Sequence, residues 1–285
     1  MSNNSYKVSI VVFIDALGWD VLRNRRFLEE ELPFRSKLRS VFGFSSACVP
    51  SILTGNQPRD HGHWSFFYHT RERSPFRPLR LLRWLPGRLA DRGRVRNWIS
   101  KLVKRAYGFQ GYFQLYNMPF RLIDRFDYCE KRDLFRPGGM NKGESIFDRL
   151  ERTGTRYHCS DWRQGEDANL ESLKTSLTEG EISFAFLYMA SMDALLHQVG
   201  KSSDRVDAKL EWYEQRLREL MARIRAQLRR LDAQSGSAVA EADRGQSSAP
   251  IDLDAVIRCR PVAESGDPAV DLDAPGANQC LELPP

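Results

Sequence analysis

Cysteine is scarce and scattered in this 285-residue chain, with single residues at positions 48, 129, 159, 259 and 280. An odd number of cysteines without a Cys-x-x-Cys pair excludes a disulfide framework and a cysteine-based zinc knuckle. No apolar run reaches the roughly 20 residues that a membrane-spanning helix requires. The opening stretch, MSNNSYKVSI, also lacks the charged and apolar regions of a secretion signal. We therefore expect a cytoplasmic protein, because free thiols are typical of a reducing compartment.

Aromatic residues are absent after Tyr213, and residues 233–285 consist mainly of Ala, Ser, Gly, Pro, Asp and Gln. Such a composition cannot bury enough apolar surface to offset the entropy lost on ordering the chain. The sequence therefore predicts a folded region, 1–232, followed by a disordered tail, 233–285. The abrupt change of composition near residue 233 also favours a truncated or frame-shifted end.

Acidic residues are nearly absent from residues 71–105, where twelve Lys and Arg residues accompany only Glu72 and Asp91. Trp84, Trp98 and several leucines are interleaved with the basic residues. One interpretation is a surface that binds anionic lipid, glycan or nucleic acid. The other is a cap whose basic face is simply solvated. No nucleic-acid-binding motif occurs here, so we expect no specific nucleic-acid partner.

The rest of the chain alternates between strand and helix patterns. KVSIVVFID (7–15) and EISFAFLYM (181–189) are continuous apolar runs, typical of buried parallel strands. Residues 155–162 resemble a shorter strand, while 143–154 and 204–231 have helical patterns. This alternation predicts an α/β fold with a mostly parallel central sheet covered by helices on both faces. We expect 7–15 and 181–189 to be neighbouring parallel strands.

Two acidic residues follow the two strongest strand candidates, and ligands of such sheets bind beyond the carboxyl ends of the strands. Asp15 closes the first strand, whereas Asp193 follows the second, with His197 one helical turn later. Carboxylate oxygen and imidazole nitrogen together suit zinc or a similar divalent ion. Taken singly, Asp15 is better explained as a helix N-cap and the Asp193–His197 pair as a surface ion pair. Their shared position at strand ends favours a metal site.

Three motifs stand in a familiar order: VVFIDALGWD (11–20), SSACVPSILTGNQPRDHG (45–62) and MDALLHQVG (192–200). In this order they resemble the alkaline phosphatase superfamily, most closely its type I phosphodiesterase/nucleotide pyrophosphatase branch. The resemblance covers residues 7–70 and about 140–231. It implies an alkaline-phosphatase-like domain in which 71–139 form an inserted basic cap.

The resemblance also implies a nucleophile, which in this family lies nine residues before the Thr of a Thr-Gly pair. Counting back from Thr54 gives Ser45, and Ser46 is the alternative if the alignment contains one gap. Cys48 opens a CVPS stretch that is similar to the sulfatase motif Cys-x-Pro-Ser-Arg. Ile52 stands where that motif has Arg, and Cys48 lies too close to Thr54. We therefore reject the sulfatase interpretation.

The resemblance further implies two divalent metal ions, zinc above all, one held by Asp15 beside Ser45 and one by Asp193 and His197. Such ions activate a seryl oxygen for hydrolysis of phosphodiester or phosphomonoester bonds. The implied substrate is a phosphorylated small molecule or a nucleotide-like compound. His61 is better explained as a turn or helix-packing residue than as a ligand.

The chain departs from the family pattern in one respect, because that pattern includes a later Asp-His pair and a final His. The last histidine here is His197. We therefore expect a hydrolase that is impaired by a missing C-terminal part. The alternative is a catalytically inactive member that binds an anionic ligand or a membrane surface through residues 71–105.

Overall fold

The structure is a computed structural model that describes residues 8–116, 118–179 and 182–242. Its strands are β1 (Ser9–Ile14), β2 (Phe67–His69), β3 (Phe126–Tyr128), β4 (Tyr157–Cys159) and β5 (Phe184–Met189). Its α-helices are α1 (Trp19–Leu22), α2 (Ser45–Thr54), α3 (Pro58–His61), α4 (Gly87–Ala90), α5 (Gly93–Tyr107), α6 (Ile146–Arg152), α7 (Glu166–Glu179), α8 (Ser191–Val199) and α9 (Asp204–Ala242). Two 3-10 helices span Arg77–Trp84 and Phe120–Arg125. Among the described residues, no helix combines the length and the apolar character needed to cross a bilayer.

The central sheet has the strand order β1-β5-β4, and both strand pairs are parallel. Ser9 lies opposite Phe184, and Ile14 lies opposite Met189. The backbone N–H of Asp15 extends this ladder by donating to the carbonyl oxygen of Met189 at 2.9 Å. The predicted parallel pairing of the two apolar runs is confirmed, and so is the α/β fold class.

Helices cover the sheet on both faces. Successive β5 side chains point to opposite sides, so this apolar strand contributes to a core on each face. Ala185, Leu187 and Met189 face a core formed with residues of α7 and α9. On the other face, Phe186 packs against residues of α2 and α6, including Leu53 and Phe147. The predicted two-sided coverage is therefore present.

The burial of β1 differs from the sequence prediction. β5 is largely buried, as expected for a central parallel strand, but Ile10 to Ile14 of β1 are only partly buried. The reason is topological: β1 lies at the edge, and no described strand pairs with its second side. A run of apolar residues cannot by itself reveal whether both neighbours of a strand are present.

Residues 71–139, interpreted from sequence as a cap, largely surround a second core. Its buried aromatic residues include Phe76, Phe113 and Tyr128, and α5 and both 3-10 helices pack around them. The antiparallel pair β2–β3 joins this unit to the residues before it. Leu134 and Phe135 instead belong to the cluster beside the central sheet, so the end of the segment packs on the main body.

The last described helix continues beyond the boundary predicted at residue 232. α9 runs to Ala242, whereas the sequence predicts disorder from residue 233. Residues 233–242 are rich in alanine, and alanine favours helix even where apolar residues do not recur at helical spacing. The absence of apolar periodicity therefore did not mark the end of the helix. The remainder of the predicted tail, 243–285, lies outside the described residues.

Candidate active site at the carboxyl edge of the sheet

Asp15 and Ser45 meet where β1 ends and α2 begins. The Ser45 hydroxyl donates a hydrogen bond to Asp15 Oδ1 at 3.2 Å. The second carboxylate oxygen, Oδ2, accepts a hydrogen bond of 2.7 Å from the Tyr188 hydroxyl. Both oxygens of this half-buried carboxylate are therefore engaged, and the carboxylate is held against the seryl oxygen.

The chain turns sharply directly after Asp15. Ala16 has a φ of 60°, in the left-handed region that residues with a Cβ rarely adopt. The Gly18 N–H closes the turn by donating to the Ala16 carbonyl oxygen at 2.8 Å. Strained backbone of this kind often occurs at functional sites, and here it follows the candidate catalytic carboxylate.

The N-terminus of α2 lacks a side-chain cap. Its N-cap residue is Phe44, and the first amides bonded back to the Phe44 carbonyl are those of Ala47 and Cys48. The N–H groups of Ser45 and Ser46 donate no hydrogen bond within the described part of the chain. Free N–H groups and the positive end of the helix dipole favour an anion at this position. They lie beside the hydroxyl that contacts Asp15.

The other two nucleophile candidates are placed differently. Ser46 is 1% exposed, and its hydroxyl has no hydrogen-bond partner among the described residues. The Cys48 thiol lies 3.4 Å from Ser40 Oγ and 3.8 Å from the carbonyl oxygen of Val41, both in the preceding loop. The geometry therefore favours Ser45 among the three.

His61 lies inside the protein, at the end of α3. Its Nε2 is 2.9 Å from Ser51 Oγ on α2, and its Nδ1 accepts a hydrogen bond from the His63 N–H at 3.1 Å. Burial lowers the pKa of His61, so the neutral form is favoured. These contacts join α3 to α2, in agreement with the packing role predicted from sequence.

Asp193 and His197 lie one turn apart on α8. His197 Nε2 is 3.5 Å from Asp193 Oδ1, and the His197 side chain is 80% exposed. Desolvation raises the pKa of Asp193, and the negative charge of Asp15 raises it further. Asp15 directly follows β1, and Asp193 lies in the first turn of α8, which directly follows the adjacent parallel strand β5. The structure therefore places both predicted pairs at the same edge of the sheet.

Sequence reasoning missed two residues of this environment. Tyr188 donates a hydrogen bond to Asp15, and its place next to the end of β5 could have identified Tyr188 once the register of the strands was known.

The second residue, Glu130, is 6% exposed, and its carboxylate forms no hydrogen bond or ion pair within the described residues. Desolvation, together with the charges of Asp133 and Asp15, raises the pKa of Glu130 to about 8. No motif surrounds Glu130, so only the fold shows its proximity to Asp15.

These residues provide only part of a metal centre. In the described ranges, no three His, Cys, Asp or Glu side chains are grouped so that they could hold a metal ion. Asp15 with Ser45 forms one pair of potential ligands, and Asp193 with His197 forms another. A protein zinc site normally has at least three protein ligands. The described side chains therefore do not fit two tightly held metal ions.

A family model described as type I phosphodiesterase / nucleotide pyrophosphatase matches residues 9–256. The chain belongs to this family. The match confirms the resemblance inferred from the three motifs, and it includes the segment 71–139. Type I phosphodiesterases of this kind are hydrolases that act on phosphorylated or nucleotide substrates and generally depend on divalent metal ions. No curated protein matches the chain.

Proposed function

We propose that this type I phosphodiesterase family member hydrolyses phosphodiester or phosphomonoester bonds with the Ser45 oxygen as nucleophile. The observation that carries the proposal is the 3.2 Å hydrogen bond from Ser45 to Asp15 at the uncapped start of α2. The substrate proposed is a phosphorylated small molecule or a nucleotide-like compound.

The chemistry follows from these contacts. As Ser45 Oγ bonds to phosphorus, its proton passes to Asp15 Oδ1, and the bond between phosphorus and the leaving oxygen breaks. The leaving oxygen, which departs on the side opposite Ser45, takes a proton from solvent, and Asp15 returns its proton to the Ser45 oxygen when water displaces it. Water hydrolyses the phosphoseryl intermediate and regenerates the hydroxyl. The N–H groups of Ser45 and Ser46 bind phosphoryl oxygens through these steps, while Tyr188 keeps Asp15 in position.

We also propose that activity depends on divalent metal, with zinc the ion best suited to this mixture of oxygen and imidazole donors. The proposed ligands are Asp15 and Ser45 for one ion and Asp193 and His197 for the other. Because each pair lacks a third described ligand, metal is held weakly and turnover is impaired. Loss of a single supporting group at a metal site already costs about 10–100-fold in affinity or activity.

The second candidate function is that of a catalytically inactive member that binds an anionic ligand or surface through residues 71–105. The observation in its favour is the exposed basic surface of that segment, where ten of its Lys and Arg residues are exposed. Turnover discriminates between the two candidates.

The test compares the wild type with Ser45→Ala and Ser46→Ala, using an aryl phosphodiester and an aryl phosphomonoester with added zinc and after chelation. We expect Ser45→Ala to abolish hydrolysis and Ser46→Ala to retain it within a few-fold. Loss of hydrolysis in Ser46→Ala, with hydrolysis retained in Ser45→Ala, would identify Ser46 rather than Ser45 as the nucleophile. Absence of turnover in the wild type under every metal condition would favour the inactive alternative.

A further inference from the structure

The outward face of α5 is both basic and apolar. Its inward face, including Ile99 and Val103, packs against the second core. Helical spacing places five other side chains on the opposite side, and all are exposed: Arg94, Trp98, Lys101, Leu102 and Arg105. Trp98 is 66% exposed and Leu102 is 53% exposed. A solvent-facing helix surface is normally polar, so these apolar residues need an explanation.

The 3-10 helix 77–84 also presents basic and apolar side chains outward, and its side chains form rows that repeat every three residues. One row, Leu79 and Leu82, packs on the second core. The next row contains Leu81 and Trp84, which are 70% and 74% exposed. A third row consists of the exposed arginines Arg77, Arg80 and Arg83. Two elements that pack on the same core thus each present tryptophan, leucine and arginine outward.

The exposed positive charge is not neutralised by the protein. Two of the twelve basic residues, Arg96 and Lys104, turn inward, where Arg96 donates to the Met118 carbonyl oxygen and Lys104 to that of Gly111. The other ten are exposed, and none forms an ion pair within the described residues. Asp91 already pairs with Arg96 at 3.4 Å. The surface therefore carries a large uncompensated positive charge.

A basic groove adjoins the 3-10 helix. It has a volume of about 560 Å³ and is lined by Arg73, Ser74, Pro75, Arg77, Pro78 and Arg80. The Ser74 hydroxyl is occupied by a hydrogen bond to the Phe126 carbonyl oxygen, so the arginines supply the donors that face the groove. Guanidinium groups suit phosphate oxygens, because their planar fork can donate two hydrogen bonds at once.

We propose that residues 73–105 form a docking surface for an anionic lipid bilayer. The inference deepens the proposal that 71–105 bind an anionic surface. Trp84 and Trp98 would sit at the depth of the headgroups, where indole rings are preferred, and Leu81 and Leu102 would reach the start of the acyl chains. The arginines and lysine would bind headgroup phosphates. Exposed leucines favour lipid over nucleic acid, since a polyanion alone offers them no apolar environment.

The test uses the full chain and vesicles of phosphatidylcholine, with or without phosphatidylserine, in a flotation assay at low and high salt. We expect binding only to the anionic vesicles, and weaker binding at high salt. Brominated lipid should quench tryptophan fluorescence in the bound state. Trp84→Ala combined with Trp98→Ala should weaken binding about tenfold and remove most of the quenching.

A second variant tests the charges. Arg80→Glu with Arg83→Glu should weaken binding more than tenfold, since each basic residue near an anionic membrane contributes roughly fivefold. Matched controls are Trp64→Ala, which removes an exposed tryptophan elsewhere, and Arg225→Glu with Arg230→Glu on α9. Both controls should bind like the wild type.

The outcomes separate this inference from the broader proposal. Binding to a single-stranded oligonucleotide but not to anionic vesicles would overturn the lipid assignment and leave an anionic-ligand function. Binding to neither would overturn both. Equal loss in Arg225→Glu with Arg230→Glu would show that binding follows net charge, and equal loss in Trp64→Ala would show that it does not depend on this surface; either result would also overturn the lipid assignment.

Discussion

The Ser45 hydroxyl lies 3.2 Å from the Asp15 carboxylate, although thirty residues separate them in the chain. The contact forms because β1 delivers Asp15 to the carboxyl edge of the sheet and α2 begins at that same edge. A nucleophile, a proton acceptor and unbonded helix N–H groups thus meet in one place. This relationship is the structural basis of the proposed hydrolysis.

Tyr188→Phe should lower hydrolysis about tenfold without unfolding the protein. The Tyr188 hydroxyl donates to Asp15 Oδ2, and desolvation raises the pKa of Tyr188, so the group remains a donor at neutral pH. Its removal leaves the carboxylate less well oriented toward Ser45. Tyr157→Phe on β4 is the matched control and should be silent. The measurement is initial rate with an aryl phosphodiester beside circular dichroism, and an unchanged rate would remove Tyr188 from the site.

Gly43→Ala should destabilise the protein and displace the start of α2. Gly43 has a φ of 123°, and an added Cβ would lie 2.7 Å from the Trp64 carbonyl oxygen and 2.8 Å from Ala47 Cβ. Strain of this kind costs on the order of 1–3 kcal/mol in the free energy of unfolding. Gly93→Ala is the control, because its Cβ would meet nothing within 4 Å. Urea denaturation measures both, and equal stability would show that the loop before α2 accommodates a side chain.

Metal retention should be weak. After incubation with zinc and gel filtration, we expect less than one equivalent per chain, since each ligand pair lacks a third described partner. His197→Ala should release most of the retained zinc, whereas His69→Ala, at an exposed histidine, should not. Elemental analysis gives the stoichiometry. Two retained equivalents with ordinary turnover, on the order of 1–10³ per second, would contradict the proposal of an impaired site.

Much of the fold could be predicted because its signals are local. The apolar runs around Val11 and Phe186 indicate parallel strands, and the strand ends locate Asp15 and Asp193 on a common edge. The edge position of β1 could not be predicted, since its composition is that of a central strand. The extension of α9 to Ala242 was also missed, because alanine continues a helix without apolar periodicity.

Part of the site could also be predicted because its signals are local in the sequence. Asp15 and Ser45 stand in recognisable motifs, so sequence sufficed to identify them. Glu130 stands in no motif and approaches Asp15 only because the segment after β3 folds back on the sheet. Its role in the electrostatics of the site is a property of tertiary structure, and its consequence can be measured.

Glu130 should make the protein less stable as the pH rises. Desolvation, Asp133 and Asp15 raise its folded-state pKa from 4.5 to about 8, so the folded state binds more protons than the unfolded state between these values. By linkage, the stabilising contribution of the Glu130 proton is fully present below about pH 4.5 and is lost as the pH rises through about 8.

The variant Glu130→Gln stays neutral at every pH. It should therefore be more stable than the wild type at pH 8, by an amount on the order of a few kcal/mol, and similar to the wild type at pH 5. Urea denaturation across this range measures the difference, with the exposed Glu211→Gln as the control. A difference that does not change with pH would show that Glu130 is charged in the folded protein, which would require a cation or a donor close to its carboxylate.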